Sequence, residues 1–492
     1  MEQFKIWYLA TEVAPFAKTG GLGDVTGSFP KSLKLRDQEI RVIMPKYKMI
    51  NERKYILREV IRLRDIPVTL NGVTKTINVK SAFLPDSKVQ IYFVEMPDYF
   101  NRNGLYTDPV TGKDYEDNPE RFAYFCLGAM ETLKILSWKP DLIHCNDWQT
   151  AFAPIYLNSR YKNDEFFTDI KTIFTIHNFL YQGIFDKSVA RRVDIDADLI
   201  EEGKALESYG KINLMKGAIH FSDKVTTVSK TYADEILSKP EFSTGLETTI
   251  EKKGTNFKGI VNGVDYDVWS PETDKLIPFR YSAEDIQGKE QNKQSLLLRV
   301  NLPYNQDSPV IGMISRVVEQ KGYKLLIESL EKLANENFQL IILGVGDKAI
   351  EKELEALIKK YPGKISLNKA FDETLAHMIE AGSDFFMMPS SYEPCGMNQI
   401  YSIKYGTLPI VYKTGGLADT ITEIDTENST GNGFIFEKYT AAELTKTIKR
   451  AFKLFKNKNV LNEVRVRVMA EDFSWDKSTE EYLELYAEVL GE

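Results

Sequence analysis

Arg316 and Lys321 stand five positions apart in SRVVEQKG, residues 315 to 322, directly after an apolar run. Arginine grips phosphate oxygens with a planar fork and lysine acts as a mobile point charge, so the two suit a diphosphate. Breaking a glycosidic bond to a nucleoside diphosphate builds negative charge on the departing oxygen, and fixed cations there lower the barrier. Taken alone, the same residues would also serve as a solvated helix start. Glu393 lies on PSSYEPCG, residues 389 to 396, bracketed by Pro394 and Gly396 and followed by Gly415 and Gly416. A carboxylate on that loop can hold sugar hydroxyls or face the positive charge that gathers at an anomeric carbon. Cys395 beside it fits either a ligand contact or a small buried hydrophobe.

A short repeat adds a second kind of site. Residues 18 to 25 read KTGGLGDV and residues 413 to 420 read KTGGLADT, identical at six of eight positions. Each is predicted to follow a strand and open a helix, where glycines let backbone amides approach an anion and the helix terminus adds positive potential. The expectation is a phosphate-sized cradle in each half, one with Lys18, Gly20 and Gly21, the other with Thr414, Gly415 and Gly416. Two cradles facing one cleft imply a ligand held between domains; a tight strand-to-helix turn is the plainer use of either copy.

HCNDWQ, residues 144 to 149, and HNFLYQG, residues 177 to 183, each begin at a predicted strand end. Asp147, Trp148, Asn178 and Tyr181 offer polar groups for hydroxyls and aromatic faces for apolar sugar surfaces. His177 is the functional candidate of the two histidines, and His144 reads as a buried ring satisfied by backbone. VDIDADLIEEG, residues 193 to 203, holds two overlapping Asp-Xaa-Asp triplets of a type that binds metal in some transferases. Asp198 followed by Glu201 reads instead as a helix start, and no metal is expected there.

The elements that must carry these groups alternate. Strand-like runs at Lys5 to Ala10, Ile40 to Met44, Val89 to Val94, Asp141 to Cys145, Thr172 to His177 and Lys224 to Ser229 are separated by helical stretches. The rhythm resumes at Pro309 to Ser315, Gln339 to Gly344, Asp384 to Met388 and Leu408 to Tyr412, with an amphipathic stretch at Gly322 to Leu333. This is the pattern of parallel α/β domains. The interval from Asn262 to Asp307 is polar and rich in turn chemistry, which places a boundary near its start. The expected division is a domain at 1–262, a second at 263–472, and a final helix at 473–492 packing back on the first.

Bulk properties agree with that scheme. A chain of 492 residues is too long for one ordinary core, and 43% hydrophobic with 27% charged residues is a folded globular composition. A net charge of −8 excludes the basic face that a nucleic-acid partner demands. No apolar run is long enough to span a bilayer, and MEQFKIWYLA shows no features of a signal peptide. Cys126, Cys145 and Cys395 form neither a disulfide framework nor a zinc site, which fits a cytoplasmic protein.

Assembled in order, these segments resemble the glycogen and starch synthases of bacteria and plants. The resemblance covers nearly the whole chain: TEVAPFAKTGGLGDV, RFAYF, NDW, HNFLYQG, VNGVD, SRVVEQKG, EPCG, KTGGLADT and FSWDKS. It implies a GT-B fold of two Rossmann-like doubly wound domains about a central cleft. It implies retaining transfer of glucose from ADP-glucose to an α-1,4-glucan, with no cofactor and no bound metal for the transfer. Lys18, with Gly20 and Gly21, would lie near the donor phosphates, and Arg316 and Lys321 would bind the diphosphate. Glu393 would contact the transferred glucose, His177 would face the anomeric centre, and Phe371 would stack on the base. Cys395, Gly396, Thr414, Gly415 and Gly416 fall on the donor side; Asp24, Asp147, Trp148, Asn178 and Tyr181 on the glucose and acceptor side. Ser391, Tyr392, Gln149 and Lys324 depart from the residues common in the family and bear on acceptor and base preference. UDP-glucose as donor, a small-sugar acceptor and a non-catalytic glucan-binding role are the competing readings.

Overall fold

A computed structural model describes residues 3 to 491. The chain divides into two compact units: residues up to Gly263 together with those from Trp475 onward, and Val264–Ser474.

In the first unit the strands are β1 (Lys5–Leu9), β2 (Glu39–Pro45), β3 (Arg58–Glu59), β4 (Ile66–Leu70), β5 (Val73–Phe83), β6 (Gln90–Glu95), β7 (Leu142–Asn146), β8 (Lys171–Ile176), β9 (Ile184–Phe185), β10 (Glu207–Ser208), β11 (Lys211–Asn213), β12 (Lys224–Thr227) and β13 (Phe257–Gly259). The large sheet runs β13-β12-β8-β7-β1-β2-β6-β5-β3, parallel from β13 to β6, with β4 pairing β5 and a separate β10-β11-β9 sheet. Strand order reverses between β1 and β7, where open α/β sheets bind ligands beyond their carboxyl edge. Both faces of the parallel strands are covered, which is why runs such as IWYL and LIHCN are wholly buried. Helix Gly21–Leu35 lies on one face and receives the final helix, Trp475–Leu490. Phe29 meets Trp475 and Tyr482 at ring distances of 5.0 and 4.6 Å, and Trp475 Nε1 donates to Ser28 Oγ. His144, on β7, bonds Tyr486 and Thr175 through its two ring nitrogens and is fully buried.

The second unit contains β14 (Val310–Ile314), β15 (Gln339–Leu343), β16 (Ile365–Asn368), β17 (Phe385–Met388), β18 (Leu408–Tyr412) and β19 (Phe434–Phe436). All are parallel in the order β16-β15-β14-β17-β18-β19, so the reversal falls between β14 and β17. A buried ion cluster pins the amino ends of these two strands. Asp384 accepts from Lys293 at 2.9 Å, from Arg465 at 2.5 Å and from the Val310 amide at 2.8 Å. Burial alone would raise its pKa, yet the two cations hold it down to about 2.

Three features differ from the sequence reading. β4 and β5 form a hairpin across Asn71-Gly72, both at positive φ, a turn that Asn-Gly favours because both central residues tolerate that region. The polar interval contains a helix, Gln287–Arg299, whose polar composition hides its periodicity. At Asp198 only a single tight turn forms, Ala197–Leu199, and no helix continues through Glu201. Among the described residues no helix is long and apolar enough to cross a membrane.

Candidate active site

In the second unit the loops after β14 and β17 flank the strand-order reversal. The first carries Arg316, exposed, and ends in a tight turn, Glu319–Lys321. Gly322 follows at φ +79°, and a Cβ there would lie 2.1 Å from the Pro389 carbonyl, so glycine lets the two loops touch. Gln320 then joins them three times. Its Nε2 donates to the Tyr392 carbonyl at 2.9 Å, and its own carbonyl accepts from the Ser391 amide at 3.0 Å and the Ser391 hydroxyl at 3.3 Å. The clamp sets Lys321 against Glu393, with Nζ 2.6 Å from Oε2 and both side chains largely buried. Sequence reading passed over Gln320 because a glutamine between two cations carries no chemical signal of its own.

The second glycine pair supports this loop from behind. Gly415 has φ +45°, and a Cβ on it would meet the Glu393 carbonyl at 2.0 Å; one on Gly416 would meet that of Cys395 at 2.1 Å. The Gly416 amide donates to the Glu393 and Pro394 carbonyls at 3.2 and 3.0 Å. The Gly416 N–H is thus committed inside the protein, and the pair lets the EPCG backbone pack closely. Cys395 and Thr414 are buried, and Gly396 turns the chain at the loop's end. Phe371 lies apart, 85% exposed, between β16 and helix Glu373–Gly382.

In the first unit Lys18 Nζ pairs with Asp24 Oδ1 at 2.6 Å, and Gly20 and Gly21 stand exposed at the start of helix Gly21–Leu35. Glu12, unassigned from sequence, is 3% exposed and sits behind them. It accepts from the Thr19 amide at 2.5 Å, the Thr19 hydroxyl at 2.7 Å and the Tyr106 hydroxyl at 2.9 Å.

Asp147 occupies the end of β7 at φ +57°, ψ 174°, a region costly for a residue with a Cβ. Its carboxylate accepts the His177 amide at 2.8 Å and also the Asn178 amide, tying the β7 and β8 loops together. Burial, with Glu12 adding negative charge, raises its pKa to about 7 against those two bonds. His177 Nε2 lies 2.9 Å from Asn146 Oδ1. Asn146 spends its amide nitrogen on the Leu9 carbonyl, so its oxygen accepts and His177 donates from Nε2. Burial lowers the His177 pKa to about 3, leaving the ring neutral at any working pH. Asn178 Oδ1 takes the Leu180 amide, and Tyr181 is half exposed. Trp148 differs from its expected part as a sugar platform: its ring is buried between Phe122, Phe185 and Gly183. In the Asp-Xaa-Asp segment, Asp194 caps the Asn71 amide of the β4–β5 turn, and no group of three potential metal-ligating side chains occurs among the described residues.

Known proteins resemble the chain along its whole length. The family model described as the starch synthase catalytic domain matches residues 5–252, and that for glycosyl transferases group 1 matches residues 297–463. A glycogen synthase from Thermosipho africanus is 42% identical over 492 residues, covering 99% of both chains. One from Chlorobaculum parvum is 40% identical over 489 residues, again covering 99% of both. The solved catalytic domain of starch synthase IV from Arabidopsis thaliana, bound to ADP and acarbose, is 33% identical, with a TM-score of 0.91 over the full length of each chain. By sequence along its whole length and by fold, the chain belongs to the glycogen and starch synthase family, glycosyltransferases of the GT-B type.

Proposed function

We propose that this enzyme transfers glucose, with retention, from ADP-glucose to the non-reducing 4-hydroxyl of an α-1,4-glucan and releases ADP, acting in the cytoplasm. The observation that carries the donor site is the Lys321–Glu393 pair, which sets a cation and a carboxylate side by side at the carboxyl edge of the second sheet. Arg316 and Lys321 hold the diphosphate and balance the charge that grows on the leaving oxygen. Glu393 bonds the transferred glucose and faces the positive charge developing at its anomeric carbon. Phe371, exposed after β16, stacks on the base. Cys395, Gly396, Thr414, Gly415 and Gly416 shape the donor loop, and Lys18, with Gly20 and Gly21, adds charge for the donor phosphates.

His177, neutral and anchored on Asn146, is positioned to meet the sugar with its ring or backbone. Asp147, Asn178, Tyr181 and Asp24 serve the glucose and acceptor side. The acceptor oxygen attacks the anomeric carbon on the face that the diphosphate leaves, and its proton passes to the leaving phosphate oxygen. That the related starch synthase IV domain is bound to ADP supports the choice of base. The test offers labelled ADP-glucose and UDP-glucose in parallel, each with glycogen or with small sugars. Incorporation into polymer from ADP-glucose supports the reading; label confined to small products, or a preference for UDP-glucose, refutes it.

A further inference from the structure

In the first glycine loop the amides of Thr19 and Gly20 turn inward. Thr19 N–H and Thr19 Oγ1 both bond the Glu12 carboxylate, the Gly20 N–H reaches the same group, and Tyr106 donates to it from the other side. Glu12 is also held by its own backbone, whose carbonyl accepts from Thr26 Oγ1 at 2.5 Å inside helix Gly21–Leu35. Tyr106 in turn bonds Thr11, so the carboxylate is gripped on both sides. A buried acid with this many donors is fixed in place and fixes its donors. Lys18 immediately precedes Thr19, and its ammonium is the group this loop turns to the surface, at 40% exposure beside Asp24.

We infer that Glu12 is a positioning residue for glucosyl transfer: an internal acceptor that folds the Lys18-Thr19-Gly20 segment around itself and thereby sets where the Lys18 ammonium meets a donor phosphate. This rests on the donor role given to Lys18 above. The amides of Thr19 and Gly20 are spent on Glu12, so the contribution of these two residues to an anion site is to place the lysine charge. In the second repeat the amide of Gly416, which aligns with Gly21, is spent on backbone carbonyls.

The experiment is a double-mutant cycle read by steady-state kinetics with ADP-glucose and glycogen. Lys18→Ala, Glu12→Ala, Glu12→Gln and Thr19→Val are compared singly, and the last three again on the Lys18→Ala background. Glu12→Ala is expected to raise KM for the donor and to lower kcat/KM by roughly 10- to 100-fold, the cost of a misplaced group. KM for glycogen should not move, and Glu12→Gln, which keeps one acceptor oxygen, should recover part of the loss. On the Lys18→Ala background the Glu12 changes should cost less than about threefold, because they act through a group already gone.

Multiplicative losses in the cycle, or unaltered kinetics in Glu12→Ala, would overturn the inference while leaving the donor role of Lys18 standing. Should Glu12→Ala fail to fold, the exposed Thr19→Val change, which removes one donor to Glu12, decides by the same criterion. Wild-type kinetics in Lys18→Ala alone would instead overturn the donor role, and the inference with it.

Discussion

Lys321 Nζ stands 2.6 Å from Glu393 Oε2, so the cation assigned to the diphosphate and the carboxylate assigned to the sugar are one ion pair before any substrate arrives. Removing Lys321 takes away both the diphosphate's cation and the partner that holds the buried Glu393 side chain in place. Lys321→Ala is expected to lower kcat/KM by about 10²- to 10³-fold, read by steady-state kinetics with ADP-glucose and glycogen. Near-native kcat/KM in that variant would show that the pair is not part of the donor site.

Gln320 bonds the Glu393 loop through its side chain at Tyr392 and through its own carbonyl at Ser391, and is expected to act on rate without contacting substrate. Gln320→Ala keeps the carbonyl bonds but loses the side-chain bond beside Glu393; it should lower kcat/KM roughly tenfold and cost only about 1 kcal/mol of stability. Gln320→Glu should be worse, because it sets an acceptor against the Tyr392 carbonyl. Kinetics alongside thermal melts check both, and an inactive variant with a large fall in Tm would assign Gln320 to the core instead.

Gly416→Ala tests the packing role of the second glycine pair. A Cβ at 2.1 Å from the Cys395 carbonyl must push the EPCG loop away. The expected result is a loss of about 1–3 kcal/mol in unfolding free energy together with a raised KM for the donor. Unchanged kinetics would mean that the loop yields without moving Glu393.

Asp147 carries both backbone strain and the bonds that repay it. Asp147→Asn keeps an acceptor oxygen and a side chain that tolerates positive φ, so it should melt close to the parent. Asp147→Ala loses both and should be less stable by about 1–3 kcal/mol, with kcat reduced because His177 and Asn178 lose their common anchor. Equal melting of the two variants would refute the anchor.

Stability should fall on both sides of neutrality. Burial holds His144 and His177 neutral with pKa values near 3, whereas an unfolded imidazole titrates near 6.5. Their contribution is complete above the unfolded value and is lost as pH drops from there toward 3. Glu380 behaves in the opposite sense: burial raises it to about 8, so its contribution is complete below the ordinary glutamate range and is lost as pH climbs through 8. Its Oε2 accepts from Ser402, and Oε1 has no partner among the described residues. Glu380→Gln should therefore melt higher than the parent at about pH 8.5 and lose that advantage near pH 5. Parallel melting curves across that range would contradict the assignment.

The central parallel strands were legible because they are buried on both faces, and VIGMI and LPIVY read as largely apolar runs, whereas the short strands β13, β16 and β19 were not read. The hairpin across Asn71-Gly72 carries the turn residues that favour it, but its strands are half polar and the sequence reading passed over it. Helix Gln287–Arg299 was not legible either, because its buried groups include Lys289, Asn292 and Lys293, and the lysines bond Tyr405 and Asp384, far along the chain. The site divides in the same way. Arg316, Lys321 and Glu393 announce their chemistry by type and spacing. Glu12 and Gln320 act by holding backbone, and neither a glutamate six positions before a lysine nor a glutamine between cations reveals what it will bond. Trp148 shows the converse: an aromatic at a strand end looked like a sugar platform and is packing.

Glucose incorporation into glycogen from ADP-glucose by wild type and Glu393→Ala tests the central claim most directly. The account predicts that the variant unfolds cooperatively and still binds ADP, while transfer falls by about three orders of magnitude or more. Turnover within a fewfold of wild type in that folded variant would remove Glu393 from the reaction and contradict the account.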